Sequence, residues 1–169
     1  MGFKGLTGGL PKMTAEWLIV KKRPKLSECD MVSDMTLDLA PYEPRLRSLL
    51  RIMAAFTFSL HGWQKFFGLF GGIAGHSVPV TSMLGAAGLI ETVGGALMML
   101  GLFTRPVGFL LSGEMAIGYF RTHAPQGFWP LMNGGNGGEL AVFYCFLWLW
   151  FAAAGAGPWS LDGLLGRKH

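Results

Sequence analysis

Residues 88–105 read GLIETVGGALMMLGLFTR, and this stretch decides how the rest of the chain must fold. It is almost wholly apolar, yet it carries one carboxylate, Glu91. Two adjacent glycines, Gly94 and Gly95, follow one helical turn later, and Arg105 ends the stretch. Small residues let helix backbones approach closely in lipid, and charged residues mark the ends of spans. The stretch therefore predicts a membrane-spanning helix with a buried acid and a close-packing surface.

The composition supports a membrane protein. Hydrophobic residues make up 51% of the 169 residues and charged residues only 14%, whereas soluble domains contain about 25% charged residues. The two cysteines, Cys29 and Cys145, form neither a disulfide framework nor a C-x-x-C motif. A thiol-disulfide relay within this one chain is therefore not expected.

The first part of the chain differs from the rest. Residues 1–45 mix acidic and basic side chains without a long periodic apolar face and carry no secretory signal. We expect a disordered cytoplasmic tail followed by a membrane domain at residues 46–169. An alternative is that the native protein starts at Met35, close to the first helix, and that residues 1–34 are not native.

Four segments are long enough to cross a bilayer, which takes about 20 apolar residues. They lie at residues 48–70, 80–102, 105–122 and 139–156. The longest connection, residues 124–138, is rich in glycine and proline and should be irregular. Its Phe128-Trp129 pair is expected at the level of the lipid headgroups. The predicted fold is all-α, a four-helix transmembrane bundle.

The distribution of positive charge predicts the orientation. If odd-numbered spans run outward, the outer side receives only Lys65 and Arg121 of the 14 Lys and Arg residues. Cytoplasmic loops carry the excess of Lys and Arg in membrane proteins. Both termini are therefore predicted to be cytoplasmic, with Arg105 anchoring the start of the third span.

Two carboxylates are predicted at one depth. Glu91 and Glu114 each lie about halfway along their spans, and a charge at that depth costs roughly 2.5–3.5 kcal/mol. Neighbouring carboxylates do not both ionise, so we expect at least one to be protonated. The nearest cations, Arg51, Lys65 and Arg121, are each expected about two turns away or more.

A second group of polar residues is predicted toward the outer face. His61 and Lys65 are one turn apart on one helix face, and Arg121 lies two turns above Glu114. His123 and Glu139 fall at the same outer level, which predicts a polar cup that opens outward. Structural alternatives stay open, since Glu91 can bond Arg51 or a hydroxyl and Lys65 can extend to the interface. A metal site is disfavoured because the histidines lack tight ligand spacing.

At this point the chain resembles the DoxX family of small four-helix bacterial inner-membrane proteins, over about residues 45–162. The resemblance rests on short motifs in order: His61-Gly62 with Lys65-Phe66, Glu91 with Gly94-Gly95, Gly101-Leu102 with Thr104-Arg105, His123, Asn136-Gly137-Gly138-Glu139, and Ser160-Leu161-Asp162. Glu114 is not part of that pattern, so its role rests on depth alone. Asp162 is expected to be structural, capping the segment after Ser160 or pairing with Arg105.

The resemblance implies a redox setting, because relatives are linked to a thiosulfate:quinone oxidoreductase and to a membrane complex that protects against oxidative and thiol stress. Neither link makes this chain catalytic alone. Three functions stay open: a membrane component of a redox system that handles quinone or docks an oxidoreductase, a transporter or binder of a small solute, and a scaffold without a ligand. The chain shows no haem-type histidine pair, no flavin or nucleotide motif and no dithiol, so the first function requires a partner or a quinone and no cofactor is expected within the chain itself. No nucleic-acid partner is expected. Self-association is a further expectation.

Overall fold

The structure is a computed structural model, and it describes residues 38–73 and 75–166. These residues are helical throughout their regular segments, and their only ladder pairing is an isolated bridge between Ile73 and His76. The prediction of an all-α fold is confirmed for this part of the chain. The expectation of a start at Met35 and that of a disordered tail over residues 1–37 concern residues outside the described range, whereas residues 40–45, which the prediction also assigned to the tail, are helical.

Four long helices account for most of the described residues. They are α1 (Glu43–Phe67), α2 (Met83–Leu100), α3 (Thr104–Gly118) and α4 (Glu139–Ala154), followed by the short α5 (Leu161–Leu164). Each overlaps one predicted span. The main differences are that α1 begins at Glu43, before the predicted residue 48, and that a π-helical turn, Tyr119–His123, continues α3.

Glycines bring α1 and α2 together in antiparallel order. A Cβ built on Gly62 would lie 2.6 Å from the Thr92 nitrogen, and one on Gly95 would collide with the Ser59 hydroxyl. A Cβ on Gly88 would lie 2.8 Å from the Lys65 Cβ. Positions rise on α2 as they fall on α1, so the two helices run antiparallel with their backbones in close approach.

The α3 and α4 helices form the second closely packed pair. A Cβ on Gly108 would lie 2.8 Å from the Trp148 carbonyl oxygen, and the Ser112 hydroxyl is 3.5 Å from the Cys145 thiol. Phe58 of α1 packs against Tyr144 and Trp148 of α4, with ring centroids 5.1 and 5.3 Å apart. This aromatic layer joins the two pairs and forms the centre of the apolar core.

One arginine closes the end of the bundle where α1 begins. Arg51 is fully buried and donates hydrogen bonds to the carbonyl oxygens of Met98, Met99, Ala156 and Trp159. Met98 and Met99 lie in the last turn of α2, whose carbonyls have no partner within the helix. A Cβ at Gly101, which has a φ of +65°, would lie 2.8 Å from the Arg51 Cζ, so glycine is required there.

Large apolar side chains also cover the outside of the helices. Exposed examples occur on all four long helices, including Met53 and Phe56, Leu89 and Val93, Phe109 and Leu110, and Phe143 and Phe146. By length and apolar composition, one described helix, Met83–Leu100, could cross a membrane, and Glu139–Ala154 is a shorter apolar helix.

Candidate functional site

A buried ion pair lies between the first two helices. The Lys65 ammonium contacts Glu91 Oε1 as both a salt bridge and a hydrogen bond. Glu91 is only 1% exposed, and the Lys65 side chain is 18% exposed. Lys65 therefore points into the bundle, and it does not extend to the interface as one alternative proposed.

The glycine contacts explain how the pair forms. Gly88 lies against the Lys65 Cβ, one turn from Glu91 on the same helix. With no side chain at Gly88, the lysine stem can lie flat on α2 and direct its ammonium toward Glu91. The small residues of the second helix thus bring the backbones together and also position the charge.

Glu114 joins this pair from the third helix. A Cβ on Gly94 would lie 2.7 Å from Leu111 Cδ2, which sets the register between α2 and α3. Glu91 lies one turn before Gly94 on α2, and Glu114 lies one turn after Leu111 on α3. The carboxyl of Glu114 interacts electrostatically with Glu91 and with Lys65. We call Lys65, Glu91 and Glu114 the charged cluster.

His61 is the accessible neighbour of the charged cluster. It lies one turn before Lys65 on α1, it is exposed, and it interacts electrostatically with Glu91. The structure therefore brings together His61, Lys65, Glu91 and Glu114, four of the candidate residues.

Two oxygen atoms of the cluster are buried and unsatisfied. Glu91 Oε2 and Glu114 Oε2 are inaccessible to solvent, and neither has a hydrogen-bond partner among the described residues. An unpaired buried polar atom costs about 1–3 kcal/mol, more when it is charged. Such atoms in a native fold call for an explanation, such as a catalytic role, an ion or a water molecule.

The structure corrects the expected distance to the nearest cation. Lys65 contacts Glu91 directly, so the expectation that every cation lies about two turns away or more is wrong. The alternative pairing of Glu91 with Arg51 is also wrong, because the Arg51 guanidinium bonds carbonyl oxygens at the other end of α2. The number of helical turns between two residues gives the separation of their Cα atoms only. The long aliphatic part of the lysine side chain carries the ammonium group about one turn further.

The other outer residues lie apart from the charged cluster. His123 Nδ1 is 2.9 Å from the Asn136 carbonyl oxygen, and its ring stacks on Tyr119. Arg121 and Glu139 are exposed, and neither forms a salt bridge with a described residue. The described contacts therefore do not join the predicted cup into one site. His123, Arg121 and Glu139, here called the rim, have no described contact with the charged cluster.

Asn136 organises that rim, a role that the sequence motif alone did not reveal. It is buried, and its amide donates to the Gly127 carbonyl at 2.8 Å and to the Tyr119 hydroxyl at 3.2 Å. Its Oδ1 accepts from the Gly138 N–H at 2.8 Å, just before α4 begins. Its burial, rather than its place in a Gly-rich loop, distinguishes it.

Arg105 and Asp162 have structural roles. Asp162 accepts hydrogen bonds from the N–H groups of Phe103 and Thr104, at 2.9 and 2.8 Å, and so caps α3. The expectation that it caps its own segment is wrong, since Ser160 accepts from the Gly163 N–H there. Arg105 donates to the Ala153 carbonyl oxygen at 2.7 Å, which ties α3 to the end of α4.

Comparisons with known proteins agree with these motifs. The DoxX family model matches residues 46–124. An uncharacterized protein of Haemophilus influenzae is 44% identical over 135 residues, which cover 78% of this chain and 98% of that relative. No solved structure matches the chain significantly. The chain belongs to the DoxX family, a family of membrane proteins.

Proposed function

We propose that this protein is a multi-pass protein of the bacterial inner membrane and the membrane component of a redox system. In this proposal its four long helices span the bilayer with both termini in the cytoplasm. It binds a quinone at the charged cluster and acts with a soluble or membrane-bound oxidoreductase partner. The redox assignment is supported by the resemblance to the family, whose members are linked to quinone chemistry and to oxidative and thiol stress.

The distribution of side chains supports the membrane part of the proposal. Large apolar residues are exposed on every long helix, while Arg51, Glu91, Ser59 and Thr104 are buried. Water favours the opposite arrangement, whereas lipid favours apolar residues outside and polar groups inside. The Lys and Arg distribution supports the orientation.

One observation carries the functional proposal: Lys65, Glu91 and Glu114 lie together inside the bundle. Removing two charges from water costs several kcal/mol per ion, and an apolar replacement is often as stable. Ionisable groups inside membrane helices are therefore functional by default. Arg51 is the contrasting case, because its hydrogen bonds to four carbonyl groups explain its burial by structure alone.

The residues of the cluster fit a quinone. The Lys65 ammonium and the His61 ring can donate hydrogen bonds to quinone carbonyl oxygens, and the unsatisfied oxygens of Glu91 and Glu114 can accept from quinol hydroxyls. His61 is exposed and gives a ligand a way to approach. A bound quinone supplies the two-electron carrier, and the cluster holds it and exchanges its protons.

The test is purification of the full chain in mild detergent, followed by extraction and measurement of quinone. We expect about one quinone per chain, since one cluster provides one site. Lys65→Met and Glu91→Gln should each remove it. Glu139→Gln, which alters an exposed carboxylate away from the cluster, should retain it. Quinone that is absent from the unaltered protein, or equal in all four proteins, contradicts the proposal.

A small polar solute is the second candidate ligand. The observation that favours it is the exposed His61 beside buried groups of both signs, which suits a ligand carrying donors and acceptors. Mass spectrometry of the same extract distinguishes the two, because a stoichiometric polar molecule would replace the quinone. If neither molecule is present, a scaffold without a ligand accounts better for the protein.

A further inference from the structure

The charged cluster contains two carboxylates and one ammonium. Lys65 compensates Glu91 through Oε1, and Glu114 lies across from them on α3. If all three groups are ionised, the cluster carries one uncompensated negative charge in the interior. An isolated buried charge is far more costly than a neutralised one, so the cluster requires one further positive charge.

The geometry limits what supplies that charge. Glu91 Oε2 and Glu114 Oε2 are both inaccessible to solvent and lack partners among the described residues. A metal cation needs several oxygen ligands around it, and the described residues contain no group of three or more His, Cys, Asp and Glu side chains that could hold a metal ion. A proton needs neither a cavity nor a coordination shell.

We propose that the charged cluster is a proton-exchange site. It holds one proton on Glu91 or Glu114, and this proton enters and leaves the cluster beside the exposed His61. Lys65 sets the number of protons, because it compensates one of the two carboxylates. Binding of the proton does not depend on the proposed quinone. The direction of exchange, toward the outer side, rests on the proposed orientation.

The groups that face the cluster come from three of the four long helices. The α1 helix contributes His61 and Lys65, α2 contributes Glu91, and α3 contributes Glu114. The nearest titratable groups of α4 are engaged elsewhere, since the Tyr144 hydroxyl bonds Thr57 at 2.8 Å and the Cys145 thiol contacts Ser112. The proton count of the buried groups therefore depends on one lysine and two glutamates, and His61 is the exposed titratable group beside them.

Infrared spectroscopy of the purified full chain, in detergent and without quinone or partner, tests the proposal. A protonated carboxyl group has its own carbonyl band, which shifts in deuterated water. In the unaltered protein we expect the band intensity of about one protonated carboxyl group per chain. Lys65 compensates one of the two neighbouring carboxylates, so the other one is protonated.

The glutamine variants and the lysine variant are predicted to change the carbonyl band in opposite directions. Glu91→Gln and Glu114→Gln each leave one carboxylate for one ammonium, so either should abolish the band. Lys65→Met leaves two carboxylates without a cation, so the band should grow about twofold. Glu139→Gln is the control and should leave it unchanged. Thermal unfolding shows whether each variant is folded. If a glutamine variant misfolds, the expected increase of the carbonyl band in Lys65→Met still tests the proposal.

Two results would overturn the proposal. One is the absence of the band in the unaltered protein, above all if sodium ions raise its melting temperature, because a metal cation would then supply the missing charge. The other is a band that persists in both glutamine variants, since the proton would then lie outside the cluster. Neither result bears on whether quinone copurifies, so the two proposals can fail separately.

Discussion

Lys65 shows what a sequence does and does not reveal about a single residue. Its position on one face with His61 follows from helical spacing, and so does its place near the C-terminal end of α1. The direction of its side chain does not follow, because it depends on the space that Gly88 leaves on another helix. The ion pair with Glu91 therefore required the structure, although both partners were already candidate residues.

A double-mutant cycle measures whether this pair is coupled. We expect Lys65→Met and Glu91→Gln each to lower the free energy of unfolding, and the double variant to lose less than the sum. Residues in contact within one network couple by about 0.5–3 kcal/mol, and the burial of Glu91 favours the upper part of that range. The measurement is reversible unfolding in mild detergent.

The matched control is the pair Glu43 and Arg47, whose nitrogen and oxygen atoms are 3.3 Å apart one turn along α1. Because the Glu43 side chain is 55% exposed, its coupling should be only about 0.3–0.5 kcal/mol. Equal coupling in the two cycles would mean that Lys65 and Glu91 do not form a buried pair.

At the scale of elements, the apolar segments predicted the helices well. The predicted second span, residues 80–102, encloses α2, and the fourth, 139–156, starts where α4 starts. Glycine, proline and charge mark such ends in the sequence. The cross-connections were not predictable, because Arg51 and Asp162 bond helix ends that are distant in the chain. Sequence spacing carries no information about such contacts.

The glycine surface of α2 gives the prediction at this scale. Gly95→Leu should destabilise the protein by at least about 1–3 kcal/mol, because the new side chain collides with Ser59 and forces α1 and α2 apart. The measurement is the melting temperature in detergent, together with the yield of monodisperse protein.

Gly113→Leu provides the control for this change. Gly113 is also inside a helix, but a Cβ there meets no described atom within 4 Å. It should leave the melting temperature nearly unchanged. If Gly95→Leu melts like Gly113→Leu, the packing of α1 against α2 described above is incorrect.

At the scale of the whole molecule, the arrangement of polar and apolar residues differs from that in a typical soluble protein. Charged groups lie inside, around the Lys65–Glu91 pair, and Phe109, Phe120 and Phe146 lie outside. In the proposed arrangement, four helices in lipid accommodate both features, and the charge distribution orients them. The membrane arrangement is thus the central claim on which the proposed site depends.

Cysteine labelling in intact cells tests that claim most directly. In a chain with Cys29→Ser and Cys145→Ser, single cysteines are placed at Thr81, Asn133 and Leu165, all of which are exposed positions. An impermeant thiol reagent should label Thr81→Cys and Asn133→Cys in intact cells, and Leu165→Cys only after permeabilisation. Labelling of Thr81→Cys and Asn133→Cys from opposite sides, or of Leu165→Cys in intact cells, would contradict the four-span arrangement with cytoplasmic termini.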